Sequence, residues 1–185
     1  MVKDRIITDR LVLRSITDKD LKDLIENINN LNISKYLLVV PYPYTKKDAK
    51  YWINHCSKEM KKKSRKSCEF VIELKSEKRL IGGIGLSKID NFQGKAEIGY
   101  WIGEKYWRQG IGSEALKVLL DFAFDKLKLR RLEANVYTEN EASARLLEKF
   151  GFVKEGLGRK SQRCKATGKI HDSYFYGLLK EDYKR

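Results

Sequence analysis

Cysteine and histidine are scarce in this sequence. Its three cysteines, Cys56, Cys68 and Cys164, are odd in number and scattered, so they form neither a disulfide framework nor a zinc spacing. They read as reduced thiols that pack like small apolar residues. Two histidines, His55 and His171, exclude a His-rich metal centre, and no metal is expected. The two prolines, Pro41 and Pro43, both fall in "VVPYPYT", which marks a loop or sheet edge rather than a domain boundary. No repeat or low-complexity linker interrupts the chain, so residues 1–185 read as one domain. No apolar run approaches the length of a membrane span. The opening "MVKDRIITDRLVLRS" has neither an apolar h-region nor a cleavage site. The expectation is a soluble, cytoplasmic protein without membrane association.

What is abundant is positive charge, a formal +14 from 39 Lys and Arg against 25 Asp and Glu. Such a surface favours anionic partners: nucleic acid, acidic peptides or a polyphosphate cofactor. A Lys/Glu-rich surface of the kind found in heat-tolerant proteins reads the same way. The run "KKKSRK", Lys61 to Lys66, either ends a helix where cations suit the dipole or contacts RNA or the ribosome. Apolar residues at 42% are enough for a packed core.

The hydrophobic pattern predicts a mixed α/β order, β-α-α-β-β-β-α-β-α-β-β. "RLVLRSI" alternates as a strand. Thr17 with Asp20, and Thr45 with Asp48, have capping-box spacing. They predict helices to about Asn27 and over "KKDAKYWINHCSKEM", with a less regular segment to Tyr44 between them. "CEFVIEL", "RLIGGIGLSKI" and "GKAEIGYWI" predict an antiparallel meander. A helix follows over Ser113 to Leu127, with Leu116, Leu119, Leu120, Ala123 and Leu127 on one stripe. "RRLEANVY" is a strand, and "NEASARLLEKFGF" a short helix stopped by Gly151. A final hairpin runs from Phe152 through "IHDSYFYGLL".

The glycines of "IGGIG" are not a dinucleotide fingerprint, because no third glycine opens a helix after them. Within a strand they allow another group to approach closely. "WRQGIGSEA", Trp107 to Ala115, is different. Gly110 and Gly112 stand where a strand turns into a helix, whose first N–H groups are unpaired and carry partial positive charge. With Arg108 beside them they make an anion site. It is no Walker loop, since no Lys-Ser/Thr pair follows. From these residues alone, a phosphate seat and a plain tight turn remain open.

The order of elements, with "YWIGEKYWRQGIGSEAL" followed by "NVYTENEASARLLEKFGF", resembles the GNAT superfamily of N-acetyltransferases. That superfamily's signature is Q/R-x-x-G-x-G/A. Its last two positions are Gly110 and Gly112 here, and its first is Trp107. Trp at that position is usual in the branch of RimJ/RimL-type ribosomal-protein N-terminal acetyltransferases. The branch motifs N-x-x-S and EK-x-GF match Asn140, Ser143, Glu148, Lys149, Gly151 and Phe152. "RLVLRSITDKDLKDL" and "HDSYFYGLLKEDY" are also similar, so the likeness spans almost the whole chain. It implies a GNAT fold with a central sheet of about seven strands, four flanking helices and two strands splayed at the cofactor site.

The resemblance further implies acetyl-CoA as cosubstrate. Backbone N–H groups of Gln109, Gly110, Ile111, Gly112 and Ser113 would hold its pyrophosphate, with Arg108 assisting. The strand Glu97 to Ile102 would pair with the pantetheine arm, and an N–H near Trp101 or Ile102 would polarise the thioester carbonyl. Asn140 would touch the cofactor, although it also reads as a helix cap. Many members carry a Tyr acid seven residues after the Asn; that position is Leu147 here. Ser143 takes the acid role of the branch, or bonds only to local backbone. Glu97 is a candidate base. Asp172 is a second candidate, and His171 a third.

The implied acceptor is a protein N-terminal α-amine, with a polyamine or drug-like amine as the alternative. A non-catalytic acyl-CoA or RNA-binding module is the reading from another class, although no RNA-recognition motif is present. A monomer and a homodimer are both compatible with the sequence.

Overall fold

The computed structural model describes residues 5–62 and 64–184. Lys63 of the basic run, and the first four residues of the N-terminal stretch, lie outside the described residues. Eight strands form one sheet: β1 (Ile6–Ile7), β2 (Leu11–Arg14), β3 (Cys68–Leu74), β4 (Arg79–Asp90), β5 (Lys95–Ile102), β6 (Arg131–Tyr137), β7 (Val153–Arg163) and β8 (Ile170–Leu179). Their order is β1-β2-β3-β4-β5-β6-β8-β7. All neighbours are antiparallel except β5 and β6. The helices are α1 (Leu21–Ile28), α2 (Leu31–Ser34), α3 (Lys46–Met60), α4 (Ile111–Asp121) and α5 (Glu141–Lys149).

Both capping boxes form, and α3 begins directly after Thr45. At Thr17 the box opens a 3-10 turn, Asp18–Asp20, before α1. The acid at its end, Asp20, is held by a two-pronged bond from Arg14 at 2.7 and 2.8 Å. The meander β3-β4-β5 and the hairpin β7-β8 pair as expected.

The sheet has one strand more than expected and one helix more among the described residues. The extra strand is β1, two residues that pair with β2. The extra helix is the single turn α2, capped by Asn30. Helix α4 starts at Ile111, two residues earlier than the pattern indicated, and widens into a π turn at Phe122–Lys126.

The sheet divides two apolar layers. On one face α4 and α5 pack Leu116, Leu119, Leu120 and Leu147 against Phe70, Ile84, Leu86 and Ile98. On the other, α1 and α3 pack Leu24, Ile28, Ala49, Ile53 and Cys56 against Val71 and Leu80. The period-2 alternation of β3 to β5 therefore feeds both layers. Residues of opposite phase on one strand face α4 and α5 or α1 and α3.

Candidate active site

The corner between β5 and α4 turns on two residues of inverted backbone, Arg108 and Gly110. Gly110 is the N-cap of α4, with φ of 76°, a conformation that costs L-residues about 1–2 kcal/mol. Arg108 also has positive φ, 59°. A Cβ on Gly112 would make an ordinary contact, 3.4 Å from Leu146 Cδ2 of α5.

Three further groups brace the corner. Trp107 donates its indole N–H to the Ile102 carbonyl at 2.7 Å, tying the turn back to the end of β5. Arg10, from the β1–β2 turn, donates to the Gln109 carbonyl at 2.9 Å and pairs with Glu114 at 2.7 Å. Lys149 of α5 donates to Ser113 Oγ at 3.2 Å. The α4 N-terminus thus has Arg10, Arg108 and Lys149 around it, a setting suited to a multivalent phosphate. The Ile111 side chain is buried in the core, so only its backbone is available to a ligand.

Strands β5 and β6 pair only from Lys95–Glu97 to Arg131–Glu133. Beyond Glu97 they diverge and leave a wedge. Gly103 N–H bonds the Ile81 carbonyl of β4. Antiparallel ladders alternate, so Trp101 also turns its N–H to β4, while Tyr100 and Ile102 turn theirs into the wedge. Of the two amides expected to face a thioester, the alternation favours Ile102. The far wall of the wedge is β6.

The α5 N-terminus closes this wedge on the helical side. Asn140 caps α5, its Oδ1 accepting from Ser143 N–H at 3.2 Å. The Ser143 hydroxyl has a partner that the sequence pattern did not reveal: Tyr100 OH of β5, 2.8 Å away. Desolvation pushes the Tyr100 phenol up to about 12, so it stays protonated at neutral pH. Leu147, at the position of the missing Tyr acid, is fully buried in the core.

On the opposite face, a groove of about 530 Å³ runs over the sheet. Its walls include Leu37, Val40, Tyr44, Trp52 and Trp101. The hairpin tip holds the loop above it: Lys165 N–H bonds the Leu38 carbonyl, and Cys164 Sγ lies 3.6 Å from the Ser34 carbonyl. The floor is a row in register across three strands, Glu69, Gly85 and Gly99. A Cβ on Gly85 would collide with Glu69 Oε2. The close approach that strand glycines permit is here a carboxylate lying across β4. Desolvation pushes that carboxyl up to about 7.

The carboxylates and the histidine singled out from the sequence stand elsewhere. Glu97 is bound to Lys88 at 2.7 Å, where β5 still pairs with β6, and does not line the groove. Asp172 accepts from Lys160 N–H at 2.7 Å and fixes the hairpin. His171 stacks on Tyr137 with ring centres 4.3 Å apart, its Nδ1 3.2 Å from Glu139. Glu69 was legible in principle. It shares a face with buried Val71 in "CEFVIEL", so its charge falls in phase with the apolar residues. Among the described residues no group of three or more His, Cys, Asp or Glu could hold a metal ion, and no helix is long and apolar enough to cross a membrane.

A splayed parallel strand pair, a glycine corner on a helix N-terminus and a groove across the sheet define an acyl-CoA-type transferase site. The family model described as the acetyltransferase (GNAT) domain matches residues 10–153, and the chain belongs to this family of N-acetyltransferases. It is similar to the "uncharacterized N-acetyltransferase p20" of Bacillus licheniformis, 35% identical over 97% of this chain and 98% of that protein. Its structure is similar to that of spermidine N-acetyltransferase from Vibrio cholerae in complex with CoA and spermine. That match has 26% identity and a TM-score of 0.80, over 95% of this chain and 99% of the other. The ribosomal-protein-S5-alanine acetyltransferase from Vibrio fischeri shares the fold, with a TM-score of 0.82 at 23% identity, over 98% of this chain and 100% of the other.

Proposed function

We propose that this N-acetyltransferase uses acetyl-CoA to acetylate, in the cytoplasm, protein N-terminal α-amines whose first side chain is apolar. The observation that carries this reading is the groove. It is large enough for a side chain and the first peptide units, and most of its lining is aliphatic or aromatic. Among the described residues, Asp48 and Glu69 bring the carboxylates that line it, against Lys165. A polyamine needs several anions along its length, and this lining supplies few.

In this reading the N–H groups of residues 109–113, with Arg108 and Arg10, hold the pyrophosphate. The wedge between β5 and β6 takes the pantetheine arm, Asn140 borders it, and Ile102 N–H polarises the carbonyl. Bound acetyl-CoA supplies the thioester that the amine attacks. The Ser143–Tyr100 hydroxyl pair gives a proton to the departing sulfur. The basic surface supports acceptors presented near RNA or the ribosome.

The test is transfer from labelled acetyl-CoA to peptides starting with Met, Leu, Phe, Ser or Glu, and to spermidine and spermine. Burying an apolar side chain is worth roughly 1.5–3 kcal/mol, so kcat/KM for Leu or Phe should exceed that for Glu by about 10–100-fold. The Vibrio cholerae likeness keeps polyamines as the second reading. Robust acetylation of spermidine with no acetylation of any peptide would establish it instead.

A further inference from the structure

The groove floor holds one carboxylate without a hydrogen bond or ion pair among the described residues, that of Glu69. Its two neighbours across the sheet, Gly85 and Gly99, have no side chains to cover it. The carboxylate lies over Gly85, and a Cβ on Gly99 would meet nothing within 4 Å. Gly99 is also the second residue after the β5–β6 pairing ends. The open space above it therefore joins the groove to the wedge. Of the groove's carboxylates, Asp48 is occupied in the α3 capping box, and Glu69 is the one that adjoins the wedge.

We propose that Glu69 is the general base of the transfer: the acceptor ammonium settles over Gly99, gives one proton to the Glu69 carboxylate and attacks as the free amine. The nitrogen lone pair forms the N–C bond to the acetyl carbon, and the C–S bond breaks with its electron pair on sulfur. The nitrogen loses two protons in all. The first passes through Glu69 to solvent. The second leaves the tetrahedral intermediate's nitrogen to the now free Glu69 carboxylate and solvent, from which the Ser143–Tyr100 pair regains the proton it gave to the sulfur.

The surroundings suit the role. A peptide α-amine has a pKa of about 8, and a base that titrates near it transfers protons well. Desolvation sets the carboxyl at about 7. The titratable and polar groups that line the groove with it are His55 and Cys56 from α3, Tyr44 before α3, Asp48 in the α3 cap, Ser87 from β4 and Lys165 from the hairpin, and Glu59 stands next to Cys56. Glu59 is held by Lys62. The Cys56 thiol is pushed up to about 12 by burial and then by Glu69 itself, so it stays neutral and does not compete.

The proposal rests on the N-acetyltransferase reading, and one experiment separates the two. The pH profile of kcat/KM is measured for wild type, Glu69→Gln and Glu69→Asp on the best amine of the panel, with acetyl-CoA affinity by calorimetry as a check on folding. Wild type should gain activity through an acidic limb centred near 7. Glu69→Gln should lose that limb and about 10²–10⁴-fold in kcat, with acetyl-CoA affinity kept within about threefold. Glu69→Asp should restore part of the rate together with the limb. A Glu69→Gln enzyme that keeps both limb and rate would overturn the proposal, as would a limb that disappears in Glu97→Gln instead. A wild type that acetylates no amine would overturn the function reading along with it.

Discussion

Tyr100 and Ser143 meet from different elements, one on β5 and the other in the first turn of α5. Their hydroxyls lie 2.8 Å apart, with Tyr100 OH also 3.4 Å from the Ser143 carbonyl, so as one proton-donating pair they should fail as a unit. Ser143→Ala and Tyr100→Phe are each expected to lower kcat by about 10²-fold or more while acetyl-CoA affinity changes little. The double variant should be scarcely worse than either single one. Steady-state kinetics with calorimetric binding checks this, and additive losses would separate the two roles. Ser143 was legible because a hydroxyl on an apolar helical stripe asks for a partner. The partner was not, since nothing local links positions 43 residues apart. Glu97 drew attention by lying on the cofactor strand, but a sequence cannot display the Lys88 contact that occupies it.

Elements whose cause is local were readable in advance. The caps at Thr17 and Thr45 rest on bonds three residues apart, and α3 spans the residues its cap and periodicity indicate. β1 and α2 are too short to leave a period; β1 exists only because β2 offers it an edge. The β5–α4 corner falls between these cases. Its glycines were visible, but only Gly110 needs its conformational freedom, at φ of 76°. Arg10 was missed altogether, because it reaches the corner from 99 residues away in the chain. Arg10→Ala should weaken acetyl-CoA binding by about 3–10-fold if its guanidinium faces the phosphates. Its ion pair with Glu114 is half-exposed and worth under about 1 kcal/mol, so thermal stability should barely move. Calorimetric titration beside a melting curve distinguishes the two effects. An unchanged Kd would remove Arg10 from the cofactor site.

At the scale of the whole molecule, one sheet keeps two ligand routes apart. The wedge between β5 and β6 opens beside the α4–α5 layer, and the groove opens on the α1–α3 side. The routes meet where the strands part, at Gly99. The resemblance to GNAT enzymes supplied the splayed strands in advance, but not the groove on the other face or where it joins them. The identity of the acceptor depends on the loop that ends at Tyr44 and on the hairpin tip, which touch only through contacts such as Lys165 with Leu38. No periodicity encodes such a contact.

The indole of Trp107 has a consequence for how this enzyme can be watched. The chain has three tryptophans. Trp107 stands 39% exposed on the β5–α4 corner, while Trp52 and Trp101 line the groove. In the proposed reading the molecule therefore carries one emitter at the cofactor's seat and two at the acceptor's. Acetyl-CoA should quench or shift the red-edge emission of Trp107, and a Trp107→Phe variant should lose that signal while retaining the response to acceptor peptide. Stopped-flow fluorescence would then report the order in which the two substrates arrive, without a label on either.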